Sequence, residues 1–345
     1  MQKKIQEFDE LLDASGKVKN VGYSDKYALR YNKENIQKRN KIKEWDCYYV
    51  MDSQMAICVS ILNLSYAKIL FASALDLVSK KHYEKRSISI GKKHPIELSS
   101  NPENGTSQFE TKNAQFTFHT KDGEVHVFGK FNKFFGKKEK SDLVFDLHIS
   151  NKSKTCLTKV STYNSQNQFC YSYKSNCLSA EGEFSYFGKT HKFDPQNSVA
   201  FIDTSRGVLP FMFKKYGASA SFKTFDQIPV GFNLGFDPKD NSGVSENAIF
   251  YNGAVHKLED VSIYIQKSKF GHDFMGTWTF YSSDGKLELI FEPILEHKSP
   301  LAILPMKNVS SQVFGRFFGK LILDDGKIIE LENVLGIAEK VINLW

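Results

Sequence analysis

The sequence has few of the features that mark common functional classes of protein. Arginine is scarce: only Arg30, Arg39, Arg86, Arg206 and Arg316 occur among 46 basic residues, so the net charge of +7 comes mostly from Lys. Proteins that bind nucleic acid tend to use Arg for bidentate contacts to phosphate and guanine. Scattered lysines instead favour a solvated surface, and we expect no nucleic-acid partner.

Cysteine motifs and long apolar runs are also missing. None of the five cysteines, at positions 47, 58, 156, 170 and 177, forms a pair with the two-residue spacing of a zinc knuckle or a redox dithiol. The sequence leaves open whether Cys170 and Cys177 form a disulfide bridge. The N-terminal run MQKKIQEFDELLD carries charge where a signal peptide needs an apolar core, and no later run approaches the length of a membrane span. We therefore expect a cytoplasmic protein with reduced thiols and no integral membrane segment.

Familiar catalytic signatures do not occur either. The sequence has no Walker loop, no dinucleotide fingerprint, no serine elbow and no pair of metal-binding histidines at helical spacing. The stretch from Gly182 to Gly188 is not followed by the helix that phosphate binding would need. We therefore expect no cofactor, and classical nucleophilic or nucleotide-dependent catalysis is not indicated.

The composition that is present favours β-sheet. Aromatic residues make up 14% of the chain, with 29 Phe and 15 Tyr, and such residues fit a half-buried pleated surface or line an apolar cavity. At 345 residues the chain exceeds the size at which one core usually stops growing. We predict two halves, residues 1–195 and 196–345, with the boundary near Asp194-Pro195 uncertain by about 20 residues. Helical spacing is confined to residues 2–13, which we predict to form one short helix.

Asn-Gly and Asp-Gly pairs between apolar, β-prone segments predict hairpin turns. They begin at Asp122, Asn252, Asp284 and Asp325, with Asn104 as a weaker case. Counting outward from Asp284-Gly285 pairs Phe280 with Leu289 and Trp278 with Phe291 on one apolar face. Counting outward from Asp122-Gly123 pairs Thr120 with Val125 and Phe118 with Val127.

The opposite face of the first of these hairpins pairs His119 with His126. Two histidines across a strand pair offer two metal ligands, but a third would have to come from elsewhere. Polar pairing at the surface accounts for them, and we expect no metal.

Distinctive residues gather in the second half of the sequence. Asp203 and Arg206 lie within the apolar stretch 202–211, and a charge that leaves water needs a partner. We expect both to be substantially buried, within ion-pairing reach of other charges. Further candidate site residues lie in two later, glycine-punctuated regions: Asn233, Glu246 and Asn247 in the first, and Arg316 and Glu339 in the second.

Several blocks of the sequence resemble an uncharacterised bacterial family, one of the numbered domains of unknown function. They are Gly22, the run Lys43-Glu44-Trp45-Asp46-Cys47-Tyr48-Tyr49, the segment Asp203 to Pro210, Glu246-Asn247-Ala248, and the stretch from Phe314-Gly315 to Trp345. That family is distantly similar to two-domain, lipocalin-like proteins that include carotenoid 1,2-hydratases. The resemblance implies an all-β fold of two consecutive antiparallel lipocalin-like (calycin-type) β-barrel halves, but it transfers no activity. Ile202 and Leu209 stand where that family would have tryptophan, which implies an altered pocket.

Three functions remain open. The first is binding or carriage of a hydrophobic small molecule, such as a lipid or an isoprenoid, in a barrel cavity. The second is a cofactor-independent hydratase, isomerase or cyclase, with Asp203 as general acid, Glu246 as its partner and Arg206 orienting both. In the third, the charged centre only holds the two halves together. The sequence does not decide whether the protein is an enzyme, and it does not indicate the oligomeric state.

Overall fold

Antiparallel β-sheet dominates the protein, as predicted. The computed structural model describes residues 2–91, 96–136, 141–269, 271–298, 301–303 and 306–344. Within these ranges the only helices are two short 3-10 turns, Lys33–Asn35 and Arg39–Lys41. No helix of the described chain is long and apolar enough to cross a membrane.

The described residues form twenty-seven strands. In chain order they are β1 (Asp9–Glu10), β2 (Gly22–Ser24), β3 (Leu29–Arg30), β4 (Ile42–Met51), β5 (Met55–Asn63), β6 (Ala67–Asp76), β7 (Lys81–Ile90), β8 (Gly105–Glu110), β9 (Ala114–Lys121), β10 (Glu124–Phe131), β11 (Leu143–Ser150), β12 (Leu157–Thr162), β13 (Phe169–Tyr186), β14 (Lys189–Phe193), β15 (Val199–Val208), β16 (Met212–Lys223), β17 (Pro229–Phe236), β18 (Ala248–Tyr251), β19 (Ala254–Lys257), β20 (Val261–Ile265), β21 (Lys267–Ser268), β22 (Gly271–His272), β23 (Trp278–Ser282), β24 (Leu287–Lys298), β25 (Leu301–Ile303), β26 (Met306–Ile322) and β27 (Ile328–Leu344).

Two large curled sheets follow one another along the chain as two half-barrels. The first has the strand order β7-β6-β5-β4-β15-β13-β11-β10-β9-β8, with β2, β12 and β14 attached beside β13. The second has the order β19-β18-β17-β16-β27-β26-β24-β23-β20, with β25 attached to β26. The chain leaves the first sheet at Val208 and enters the second at Met212.

Each half-barrel has its own apolar core. In the first, alternate residues of β9 and β10 point inward, including Phe116, Phe118 and Val127, all at most 1% exposed. In the second, Trp278, Phe280, Leu289 and Phe291 are fully buried. These cores fill the barrel interiors with side chains, in the way that small barrels are usually filled.

The predicted hairpin registers are confirmed. Thr120 faces Val125 and Phe118 faces Val127 across the first hairpin, and His119 faces His126 on its polar side. Phe280 faces Leu289 and Trp278 faces Phe291 in the other hairpin.

The turn types differ between these hairpins. Asp122 and Gly123 have φ values of 51° and 85°, as a type I′ turn requires. At the other turn only Gly285 has a positive φ, 72°, because that loop is longer than two residues. The register survives because the strands on either side are symmetric about Asp284-Gly285.

The predicted helix over residues 2–13 is wrong. The segment is extended, with Asp9 N donating to Ala28 O at 3.0 Å and Leu11 N to Arg30 O at 2.9 Å. Leu11 and Leu12 are adjacent and both buried, in a cluster with Phe169 and Tyr171 of β13. A lone helix of this length is marginal in water. Extended chain instead buries side chains on both of its sides.

A bridge between Cys170 and Cys177 is also excluded. Both lie on β13 and both are free thiols. Seven residues of strand separate them by roughly 23 Å, far beyond the reach of a disulfide.

Candidate functional site

The two faces of β15 decide where the predicted charged residues lie. Side chains alternate along a strand, so Asp203 and Arg206, three residues apart, leave opposite faces. Ile202 and the other side chains on the same face of β15 point toward the core of the first half-barrel. Phe201 and its face pack instead against Phe314 and Ile337 of the second sheet. Asp203 therefore lies between the two half-barrels, whereas Arg206 points into the first.

Arg206 belongs to a separate polar cluster at one end of the first core. Its Nη2 lies 2.7 Å from Asp46 Oδ1 and donates to Ser99 O at 2.8 Å, while Nη1 donates to Trp45 O at 2.8 Å. Ser107 Oγ donates to the other oxygen of Asp46 at 2.5 Å. Arg206 and Asp46 are both buried. The expected burial and ion pairing of Arg206 are found, but Arg206 is not placed to orient Asp203 or Glu246.

Asp203 is held by neighbours on the first sheet. It faces Lys174 across β13 and β15, and the Lys174 ammonium forms an ion pair with its Oδ2. Trp45 Nε1 donates to its Oδ1 at 3.2 Å. Both carboxylate oxygens therefore have partners, and the Lys174 side chain is only 3% exposed.

Glu246 is the corresponding anion of the second half-barrel. Its Oε1 forms an ion pair with the Lys215 ammonium, whose side chain is 17% exposed. Burial raises the pKa of Glu246, but the charges of Lys174, Lys215 and Lys159 outweigh that effect and hold the pKa well below its usual range. A carboxylate in this state is a fixed negative charge and a poor proton donor.

The neighbours of Glu246 explain its position. A Cβ on Gly235 would lie 2.2 Å from Glu246 Oε1, so only glycine leaves room for the carboxylate. Asn233 Nδ2 donates to Glu246 O at 2.9 Å. Asn247 Oδ1 accepts from Gly235 N at 2.8 Å, and its amide donates to Glu259 O at 3.1 Å. Asn233 and Asn247 thus hold the local backbone, and both are buried.

Glu339 is the carboxylic acid of the site without a bonded partner. It lies on β27 directly opposite Gly217, which leaves space for it: a Cβ there would be 3.3 Å from Glu339 Oε1. Among the described residues, no hydrogen bond or ion pair reaches its carboxylate. Burial raises the pKa of Glu339, and the nearby charges do not reverse this: Lys215 and Lys174 lower it, whereas Asp203 and Glu246 raise it.

Asp203, Lys215 and Glu339 reach a cavity of about 250 Å³ between the two sheets. The wall from the first sheet is mainly apolar, and its members are Trp45, Cys47, Tyr49, Ser60, Leu62, Leu64, Ile69, Phe71 and Arg86. The wall from the second sheet is mainly polar, and its other members are Phe213, His297, Asn308, Ser310, Gln312, Val341 and Asn343. Such a cavity suits a molecule with one apolar and one polar side.

A smaller cavity of about 40 Å³ adjoins the larger one. The two share Tyr49, Asp203, Lys215, Gln312 and Glu339 as lining residues. Glu246, Asn233 and Lys174 also line the smaller cavity. Charged groups therefore gather at one end of the space between the sheets.

The two half-barrels are also joined by a direct ion pair. Lys159 Nζ on β12 lies 2.5 Å from Oδ2 of Asp240, which follows β17. Both side chains are largely buried, at 13% and 7% exposed. This pair connects the sheets close to Glu246, whose charge Lys159 also stabilises.

One predicted site residue lies elsewhere. Arg316 is on β26, where its Nη1 donates to Asn333 O at 3.2 Å, and it lines neither cavity. Lys174, Lys215 and Tyr49 were not predictable as site residues, because single lysines and tyrosines in a Lys-rich, aromatic chain carry no signal. Gly217 and Gly235 were the available clue, since glycine within a strand indicates close approach.

Solved structures share this two-domain, lipocalin-like architecture. CghA in complex with Sch210972 superposes with a TM-score of 0.54 at 9% sequence identity, over 88% of each chain. An AttH-type protein of Nitrosomonas europaea gives a TM-score of 0.50 at 11% identity, over 87% of this chain and 92% of its own. Kievitone hydratase of Nectria haematococca gives 0.47 at 11% identity, over 88% of each chain.

The first two of these structures show that the chain has a fold of the two-domain, lipocalin-like class. Within that class, the chain belongs to the family described as domain of unknown function DUF2804, whose model matches residues 2–345. No curated protein sequence matches it.

Proposed function

We propose that the protein binds a largely hydrophobic small molecule with a polar side in the cavity between its two half-barrels. The observation that carries this proposal is the contrast between the two walls of that cavity, apolar on the first sheet and polar on the second. The barrel interiors hold packed side chains, so the binding site differs in place from the barrel cavity expected from the sequence.

The size of the cavity supports a small ligand. Ligand pockets span roughly 300–1,000 Å³, and a cavity of about 250 Å³ lies just below that range. Among the solved neighbours, CghA is described in complex with Sch210972, which supports a small-molecule role for this architecture. A lipid-like or isoprenoid-like molecule with oxygen substituents matches the lining chemistry.

Native mass spectrometry of protein purified from its own cells tests this proposal. We expect a stoichiometric, extractable ligand in the wild-type protein. Val341→Trp should exclude it, because Val341 lines the cavity. Val309→Trp is the matched control: Val309 lies on the paired strand β26 and is 44% exposed. A wild-type protein without ligand, or equal retention in both folded variants, would contradict the proposal.

A second candidate function is cofactor-independent acid catalysis. It is favoured by Glu339, whose carboxylate has no hydrogen-bond or ion-pair partner in the described part of the chain. A carboxylic acid with a raised pKa can protonate a double bond or an oxygen, leaving a carboxylate that later takes a proton back. Asp203 is less suited to the role expected of it, because Lys174 and Trp45 occupy its oxygens. In this reading Glu339 is the acid and Lys215 a nearby charge that stabilises the carboxylate.

Deuterium incorporation tests the catalytic alternative. Protein is incubated in heavy water with an apolar extract of its own cells, and products are followed by mass spectrometry. Wild type should add deuterium to a specific compound, and Glu339→Gln should abolish the reaction while the ligand stays bound. Incorporation that is unchanged in Glu339→Gln would remove Glu339 from the mechanism.

We also propose that the protein is located in the cytoplasm. The five cysteines are free thiols, in keeping with the reducing cytoplasm expected from the sequence. Fractionation of the native cells, followed by detection of the protein, checks this expectation.

A further inference from the structure

We propose that His126, Asp146 and His148 form a binding site for a divalent transition-metal ion on the outer face of the first half-barrel. β10 pairs with β11 so that His126 faces His148, and Asp146 lies two residues before His148 on the same face. From the sequence alone, only the pair of His119 with His126 was apparent. The pairing of β10 with β11 supplies the ligands that were missing.

One carboxylate oxygen of Asp146 lies close to a ring nitrogen of each histidine. His126 Nε2 lies 2.8 Å from Asp146 Oδ1, and His148 Nε2 lies 3.4 Å from the same oxygen. In a tetrahedral zinc site with bonds of about 2.0–2.2 Å, neighbouring ligand atoms are roughly 3.3–3.5 Å apart. Binding of an ion would therefore require rotation of the two imidazole side chains, but no movement of the strands.

The two imidazole rings are stacked on each other, so each must rotate before both Nε2 atoms can point at one ion. Their centroids are 4.3 Å apart and their planes differ by 9°. All three ligand atoms lie within 4.8 Å of one another. Because both histidines lie on neighbouring paired strands, the backbone already holds them side by side.

The donor set indicates which ions fit. Two imidazoles and one carboxylate suit Zn²⁺, Ni²⁺, Cu²⁺ or Fe²⁺, whereas Mg²⁺ and Ca²⁺ prefer oxygen ligands alone. Glu181 faces His148 and Glu183 faces Asp146 on the next strand, β13. This acidic surround on a protein of net charge +7 favours a cation at this place.

The site is independent of the cavity between the half-barrels. His126, Asp146 and His148 are at least partly exposed, and β10 and β11 contribute no lining residue to that cavity. Loss of metal binding would therefore leave the ligand binding proposed above unaffected.

Titration with Zn²⁺ alone, followed by calorimetry, tests the site on the untagged full chain after removal of metals with EDTA. We expect one Zn²⁺ per chain. Asp146→Asn and His148→Ala should each weaken binding by about tenfold or more, since loss of even an outer-shell partner costs 10–100-fold. His119→Ala is the matched control. His119 is not one of the three proposed ligands, and its Nδ1 is hydrogen-bonded to Thr106 Oγ1 at 2.9 Å.

The result that supports the site is wild-type affinity in His119→Ala together with weakened binding in His148→Ala. Either a wild-type chain without a bound equivalent of Zn²⁺, or equal affinity in wild type and His148→Ala, would overturn the proposal. The substitutions are on an exposed face, and circular dichroism of each variant establishes that the sheet is intact.

Discussion

Gly217 and Gly235 face each other across β16 and β17, and each leaves space for a different glutamate. A Cβ on Gly235 would lie 2.2 Å from Glu246 Oε1, whereas one on Gly217 would lie 3.3 Å from Glu339 Oε1. The first contact is too short to persist, so the ion-paired carboxylate of Glu246 would have to move. The second is tight but involves a carboxylate without a bonded partner.

We therefore expect different costs for alanine at these two positions. Gly235→Ala should lower the free energy of unfolding by about 1–3 kcal/mol, because it overpacks the site and moves Glu246 away from Lys215. Gly217→Ala should change it by less than about 1 kcal/mol, since alanine in a strand recovers some of the entropy lost by glycine. Urea unfolding of both variants measures the difference. Equal destabilisation would mean that Glu246 is not held as described.

The ion pair of Lys174 with Asp203 gives a second prediction. Asp203→Asn leaves the Lys174 ammonium, 3% exposed, without its counter-charge, and breaking a buried pair costs about 3–5 kcal/mol. Because the Asp203 side chain is 28% exposed, we expect a loss near the lower end, about 3 kcal/mol. Glu288→Gln is the control, as its pair with Lys320 is exposed and should contribute less than about 1 kcal/mol. Chemical unfolding of both variants checks the contrast, and similar losses would refute it.

Double-mutant cycles should separate the two charged clusters. Arg206→Met and Asp46→Asn remove partners 2.7 Å apart, so we expect a coupling energy of about 1–3 kcal/mol. Arg206→Met and Asp203→Asn act on opposite faces of β15 and should be additive within about 0.5 kcal/mol. Strong coupling in the second cycle would show that the two clusters act as one.

The raised pKa of Glu339 predicts a dependence of stability on pH. Between its usual pKa of 4.5 and the higher pKa of the folded state, the native protein binds more protons than the unfolded chain. Stability contributed by Glu339 is therefore present at low pH and is lost as pH rises through the folded pKa. The melting temperature of Glu339→Gln should therefore increase relative to that of wild type as the pH rises.

Glu246 should show the opposite dependence of stability on pH and serves as a control. Its pKa is lowered in the folded state, so its contribution is present above the usual pKa and is lost as pH falls. At neutral pH, the melting temperature of Glu246→Gln should therefore be lower than that of wild type. Thermal scans at several pH values check both signs, and a flat difference for Glu339→Gln would contradict the assignment.

Local features of the fold were predictable from the sequence, whereas long-range pairings were not. Asp122-Gly123 and Asp284-Gly285 fixed two hairpin registers, because side chains alternate with a period of two. The site depends instead on β4 pairing with β15 and on β16 pairing with β27, between strands more than a hundred residues apart. No sequence pattern specifies such partners. Lys174 and Lys215 could therefore not be distinguished from other lysines in the sequence. Asp203 and Arg206 were expected to belong to one charged cluster because they are close in sequence.

The cavity belongs to neither half-barrel alone, because its two walls are the outer sides of two sheets that each pack a core of their own. Selection can therefore reshape the cavity without disturbing either core. A small rotation of one half against the other changes its width, and substitutions on one wall change its chemistry while the other stays constant. If the cavity binds a ligand as proposed, related proteins built in this way can diverge in ligand preference faster than in fold.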